Sequence, residues 1–189
     1  MEKELIIKQV ENYVQDCLRD HEPGHNYEHV LRVRKLALEI AKEVECDIFV
    51  IELLALLHDI EDHKFNSSHK VSDFLNTLNI DINIKEKILY ILPYLSFSKY
   101  PVLPKDFPNE GKVVSDADRL DAMGAVGIAR AFSYGGMKNR PFEYTINHFD
   151  EKLLQLHKYL YFKKSKEMAI ERLKMLQDFY DEFIKETKL

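Results

Sequence analysis

Cysteine is scarce: only Cys17 and Cys46 occur in 189 residues, and no Cys-x-x-Cys pair is present. A disulfide framework and a zinc ribbon are thereby excluded. Also missing is any apolar run of about 18 residues, the least that a membrane-spanning helix needs. The opening Met1-Glu-Lys-Glu-Leu-Ile-Ile-Lys8 is too charged, and its apolar run too short, for a secretory signal. These absences lead us to expect a cytoplasmic protein with no membrane partner. Positive charge is in deficit as well. With a net charge of −5 and a pI near 5.9, the chain has no overall field to hold a long nucleic acid, whereas small phosphate compounds need only a metal ion and a few local cations. The densest basic stretch, Lys158-Tyr-Leu-Tyr-Phe-Lys-Lys-Ser-Lys166, interleaves lysines with aromatics. We read it as a junction between helices with solvated lysines rather than a nucleic-acid patch.

Strand-like alternation is absent too, and helical spacing takes its place. Apolar residues recur at Leu5/Ile6, Val10, Tyr13/Val14 and Cys17/Leu18, and again at Val30, Val33, Leu36/Ala37, Ile40/Ala41 and Val44. Helix starts are signalled by Asp47, by Ser68 before Val71, and by Asn83 with Glu86 three residues on. Pro101, Pro104, Pro108 and Gly111 forbid continuous helix between Pro101 and Gly111, and we place a loop there, beside the functional site. Lys112 to Phe132 is rich in alanine and glycine, which suits close helix packing or room for a ligand. Charged residues at 31% and hydrophobic ones at 46% are ordinary for a globular chain. The expectation is a single all-α domain over 1–189, with about seven to nine helices. Apolar residues on the C-terminal helices are numerous enough to serve a homo-oligomer interface.

Three stretches carry the chemistry: His25-Asn-Tyr-Glu-His29, His58-Asp59 and Asp116-Ala-Asp118. His29, His58, Asp59 and Asp118 would give one ion two imidazoles and two carboxylates, a set suited to a divalent transition metal with positions left for water or phosphate oxygens. Any single histidine here, taken alone, reads better as a hydrogen-bonded structural residue. The setting of His58 and Asp59 favours the metal, because Phe49-Val-Ile-Glu-Leu-Leu-Ala-Leu-Leu57 is nearly all apolar, and ending a buried run in two ionisable residues is costly unless they are paired or bind a metal. Adjacent helical residues point about 100° apart, so both reach one ion only if the helix bends or ends beside them. Arg32 shares a helix face with His29 and suits a phosphate oxygen or a structural carboxylate. Asp62 follows His58 by four residues and could orient or deprotonate water, with Lys64 steadying a phosphate; surface salt bridges are the competing reading for both. Asp116 fits a helix cap, while Arg119 and Asp121 pair with neighbours or with the ligand shell.

In this order, His-x-x-x-His-x-x-Arg-Val from His25, His-Asp-Ile-x-Asp-x-Lys from His58, and Val-x-Asp-Ala-Asp-Arg-Leu-Asp-Ala-Met-Gly from Val114, the chain resembles the HD superfamily of metal-dependent phosphohydrolases, in its small stand-alone bacterial branch. The resemblance implies an all-α fold and one divalent ion, Mn²⁺ first, with Mg²⁺, Co²⁺, Ni²⁺ or Fe²⁺ as alternatives. It also implies hydrolysis of a small nucleotide or phosphate ester, foremost a (deoxy)nucleoside triphosphate to monophosphate and pyrophosphate. Alternatives are a nucleoside monophosphate phosphatase or phosphodiesterase and, in another class, a nucleotide- or metal-binding module without turnover. In the catalytic reading, His29, His58, Asp59 and Asp118 hold the ion and Asp62 positions water. His25 and Lys64 then join Arg32 and Arg119 in neutralising phosphate charge. One departure is Asn26, where this branch commonly has Asp. Histidines between the His-Asp pair and Asp118 are confined to His63 and His69, close to the pair, which favours a single metal. A Glu-Asp pair typical of alarmone hydrolases is replaced by Asp62-His63, which disfavours that substrate.

Overall fold

The computed structural model describes residues 2–19, 26–60 and 70–187. Among them are nine α-helices, two 3₁₀ helices and no strand, so the fold is all-α. By packing, the described residues divide into two compact units, one ending at Ser115 and the other beginning at Asp116.

The first unit is assembled around α3 (Ile48–Leu57). Eight of its ten residues are buried, as expected of a helix apolar on every side. Asp47 caps it, accepting from the Phe49 amide at 2.9 Å. Around it pack α1 (Glu2–Cys17), α2 (Tyr27–Ala41) and α5 (Ile82–Ile91). Arg34 of α2 reaches both Glu11 of α1, at 2.7 Å, and Glu52 of α3, at 3.0 Å from Nε, so one guanidinium ties three helices. Burial works against its charge, but the two carboxylates outweigh burial and raise its pKa above the ordinary arginine value.

Two cap assignments change. Short α4 (Val71–Thr77) begins after Lys70 with no side-chain cap, and Ser68 lies outside the described residues. For α5 the cap is Asp81, which accepts from both the backbone and side-chain nitrogens of Asn83; a carboxylate two residues upstream takes the role we expected of Asn83 and Glu86. The proline-rich stretch is non-helical to Pro108, as expected, and buries Leu103 and Phe107. Helix α6 (Asn109–Asp121) then starts directly. Gly111, expected in the loop, falls inside it, and only a residue without a Cβ fits there, since a Cβ would lie 2.4 Å from the Phe107 ring.

The second unit contains the end of α6, then α7 (Gly124–Met137), α8 (Phe142–Glu151), a 3₁₀ segment (Leu153–Tyr159) and α9 (Lys163–Thr187). The small residues of this region serve packing. Gly124 turns the chain between α6 and α7 at φ 71°, and a Cβ on Gly127 would lie 2.2 Å from the Ala122 carbonyl oxygen. Phe132 of α7, Phe149 of α8 and Phe179 and Phe183 of α9 form a ring cluster with centroids 5.7–5.9 Å apart along its contacts, offset or edge-on as aromatic quadrupoles prefer. Among the described residues no helix is long and apolar enough to cross a membrane.

Candidate metal centre

Helix α3 ends at Leu57, and His58 is its C-cap, followed by a turn through Ile60. This ending answers the geometric difficulty of adjacent ligands, since outside the helix the two side chains no longer diverge by a helical step. Opposite stands His29, on the third residue of α2 and fully buried. Its amide is held by the N-cap: Asn26 Oδ1 accepts from the His29 N–H at 3.1 Å. Asparagine caps a helix about as well as aspartate, so the departure at Asn26 keeps the start of α2 intact.

His29, His58 and Asp59 each offer a ligand atom, and these atoms all lie within 4.8 Å of one another. His29 Nε2 faces His58 Nε2 at 3.2 Å. Asp59 completes the triangle, with Oδ2 3.4 Å from His29 Nε2 and Oδ1 3.5 Å from His58 Nε2. On the far side of its ring, His58 Nδ1 lies 2.8 Å from the Ala55 carbonyl oxygen. Only an N–H can make that contact, so a neutral His58 carries its proton on Nδ1 and aims a lone pair from Nε2 into the triangle. Metal-binding histidines are characteristically oriented in this way, through a carbonyl on the other nitrogen. The side chains are at most 9% exposed. A buried convergence of imidazole nitrogens and a carboxylate is costly unless a positive charge is shared among them, and the donor chemistry fits a divalent transition metal.

The remaining expected residues fall into three groups. His25, Asp62 and Lys64 lie outside the described residues. Arg32 is half-buried on α2, and Asp118 is half-buried on α6, within the second unit. Arg119, 1% exposed, donates from Nη1 to the Tyr159 carbonyl at 2.6 Å and lies 3.6 Å from Asp116, with its guanidinium 5.3 Å from the Tyr161 ring centroid. These contacts employ it in packing, and it has no part in the functional assignment below.

Asp116 does accept orphan helix amides, but those of another helix. It sits in the middle of α6 and takes the Tyr161 and Phe162 N–H groups at 3.0 and 3.1 Å, just ahead of α9. Burial pushes its carboxyl above the ordinary value; the amides and Arg119 act in the opposite direction. Asp121 pairs with Arg130 at 2.6 Å. Sequence reasoning missed Glu110, which accepts from the Asp47 amide at 2.9 Å and meets Lys87 at 2.8 Å. Nothing local signals a contact across 63 residues.

The chain matches the HD domain family over residues 26–123, and it belongs to that family. It is 35% identical over 182 residues to the uncharacterized protein YpgQ of Bacillus subtilis, which covers 91% of this chain and 89% of YpgQ. The crystal structure of YpgQ in complex with ADP superposes with a TM-score of 0.82 at 31% identity, covering 96% of this chain and 98% of that one. An HD-superfamily hydrolase from Bacillus thuringiensis gives a TM-score of 0.78 at 34% identity, covering 97% of each chain. The protein is thus an HD-superfamily hydrolase whose His29, His58 and Asp59 could hold a divalent metal.

Proposed function

We propose that this chain is a metal-dependent phosphohydrolase acting on small nucleotides, and that it cleaves a (deoxy)nucleoside triphosphate to monophosphate and pyrophosphate. The observation that carries the reading is the facing pair of Nε2 atoms beside the Asp59 carboxylate, with His58 oriented by the Ala55 carbonyl. Support for a nucleotide comes from ADP in the YpgQ crystal. Asp118 joins the ligand set on the strength of the sequence motif, which makes two imidazoles and two carboxylates. A bound divalent ion, Mn²⁺ by preference, supplies positive charge at a phosphoryl oxygen and acidifies water.

Within this reading the chain's own groups do the following. His58 and His29 present lone pairs, and Asp59 and Asp118 balance the ionic charge. Asp62 accepts a proton from the attacking water. His25, Lys64 and Arg32 bear on the phosphates, where preorganised positive charge stabilises the transition state most effectively. The site belongs to one domain spanning 1–189.

The test is a nucleotide screen with added Mn²⁺ in which phosphate and pyrophosphate are measured together, since their ratio identifies the bond cleaved. Pyrophosphate release, abolished by chelator, is the expected result. Phosphate release from monophosphates would make the protein a phosphatase. Metal binding without any turnover would make it a binding module. In the same assay Asp62→Asn should lower kcat by about 10²- to 10⁴-fold, the usual contribution of a proton-handling group, while metal content stays at the wild-type level. A salt bridge at the surface would leave the rate unchanged.

A further inference from the structure

The proline-rich stretch supplies no ligand to the candidate metal centre, yet it helps to build an aromatic surface. Four rings from separate parts of the first unit meet there. Tyr90 of α5, Tyr94 of the 3₁₀ turn that follows (Leu92–Tyr94) and Tyr100 of the loop form a row, with successive centroids 5.7 and 4.7 Å apart. Buried Phe107 touches two of them, 5.8 Å from the Tyr90 ring and 5.2 Å from that of Tyr94.

Local hydrogen bonds hold this row in place. The Ser96 carbonyl accepts from the Lys99 and Tyr100 amides at 3.1 and 2.9 Å, a turn that folds Tyr100 back onto Tyr94. A second turn, from the Phe107 amide to the Pro104 carbonyl at 3.1 Å, seats Phe107, and Gly111 leaves room for its ring beside Ile91. Lys112 ties the loop to α6, its Nζ donating to the Lys105 carbonyl at 2.8 Å. Even so, Tyr90 stays 53% and Tyr100 38% exposed, and their chain neighbours Leu89 and Val102 are 40% and 65% exposed. An aromatic patch that faces solvent and is already ordered is suited to recognition.

Shape and chemistry narrow the occupant. Neighbouring rings of the row are turned 40–48° from one another, so the surface is corrugated and gives successive flat bases no parallel faces to stack on. A polyproline II helix is corrugated too, with three residues and about 9 Å to the turn, a length of the same order as the row. It has no internal hydrogen bonds, which leaves its carbonyls open to donors. Among the described residues, the hydroxyls of Tyr90, Tyr94 and Tyr100 make no hydrogen bond within the protein, so all three can donate. Lys99 and Lys105 stand exposed on the same loop, where Asp106 is the only acid.

We propose that the Tyr90–Tyr94–Tyr100 row docks a proline-rich segment of a partner protein, in polyproline II form and with acidic residues at one end. The inference is independent of the phosphohydrolase reading. Proline rings pack across the tyrosine ridges, the phenols donate to the segment's carbonyls, and Lys99 and Lys105 fix its direction by drawing the acidic end.

The test uses the full chain with chelator present, so that the metal centre takes no part, and as probe an oligoproline peptide that begins with two glutamates. With carbon-13 in the ten tyrosines, the NMR signals of Tyr90, Tyr94 and Tyr100 should move on titration, and anisotropy of the labelled peptide should give a Kd below about 1 mM. Tyr90→Ala with Tyr100→Ala should raise that Kd by about tenfold or more. Lys99→Glu with Lys105→Glu should raise it by about threefold and favour a peptide that begins with two lysines instead. Circular dichroism verifies that each variant is folded, and Mn²⁺ affinity should match wild type in both. No binding at 1 mM would overturn the proposal, as would a Kd indifferent to either pair of substitutions. Equal binding of a glycine-serine peptide with the same two glutamates would overturn it too. If AMP moves the same three signals at lower concentration than the peptide does, the row is a base-stacking surface and the proposal fails.

Discussion

Two clusters in this protein are built from the same alphabet of carboxylates and cationic or imidazole side chains, and they behave differently. Around His29, His58 and Asp59, two imidazole nitrogens and a carboxylate converge at 3.2–3.5 Å. Around Asp116, Arg119 and Asp121, contacts run from a donor to an acceptor: amides to Asp116, Arg119 to the Tyr159 carbonyl, Arg130 to Asp121. Burial is nearly the same in both. What separates a site from a scaffold here is whether polar groups pair off one to one or converge on a single point. The paired arrangement is complete as it stands, and the converging one suits a cation.

That contrast can be broken by substitution. His58→Ala should lower metal affinity by more than about 100-fold, since even partners behind a ligand are worth 10–100-fold. Folding without metal should be less affected than metal binding, because the ring lies at the end of α3, outside its buried helical run; calorimetric titration and urea unfolding read the two quantities. Asp116→Ala should do the reverse. Stranding the Tyr161 and Phe162 amides at the start of α9 should cost roughly 2–4 kcal/mol of stability, from two buried donors at about 1–3 kcal/mol each when partly relaxed, with metal affinity measured on the folded fraction unchanged. If Asp116→Ala releases metal and spares stability, the two clusters have been assigned the wrong way round.

A finer test uses Asn26. Losing its side chain uncaps α2 three residues before His29, so Asn26→Ala should lower stability by about 1 kcal/mol and weaken metal binding by up to about tenfold, as the His29 mount frays. Asn26→Asp should restore both. The smallest effect concerns Glu110. Burial alone would raise its carboxyl, but the Asp47 amide and the Lys87 ammonium outweigh burial and hold it below the ordinary value. A depressed folded pKa contributes stability above the unfolded carboxyl value of about 4.3 and loses it as pH falls through the lower folded value. Glu110→Gln should flatten that acid limb by less than about 1 kcal/mol, measured as urea midpoint against pH, and leave the neutral-pH metal affinity untouched.

Local chemistry made much of this visible in the sequence. The apolar run to Leu57 followed by His58-Asp59 marked both a buried helix and its functional end, and Asp47 marked the start. Other features were hidden because their partners lie far along the chain. Glu110 reads as a first-turn acid of α6 until Asp47 is seen beside it. Asp116 reads as a cap for its own helix, yet it serves α9, 45 residues on. Asp81 outcompeted Asn83 because the carboxylate accepts from both nitrogens of Asn83, a choice that periodicity does not make. The 3₁₀ segment at Leu153–Tyr159 has helical apolar spacing, and its tighter winding accompanies the use of its last carbonyl by Arg119.

The mounting of the three candidate ligands has a kinetic side. His58 and Asp59 follow a helix whose last five residues, Leu53 to Leu57, are at most 1% exposed, so their amides should exchange hydrogen only when the whole unit opens. His29 rides on the first turn of its helix, held by the Asn26 cap, and helix ends open at far lower free energy. Loading and release of an ion would therefore be timed by the opening of that first turn, with the other two ligands as a fixed anvil. Deuterium uptake at residues 27–30 should slow sharply when Mn²⁺ is added, while uptake across Leu53–Leu57 stays slow with or without it.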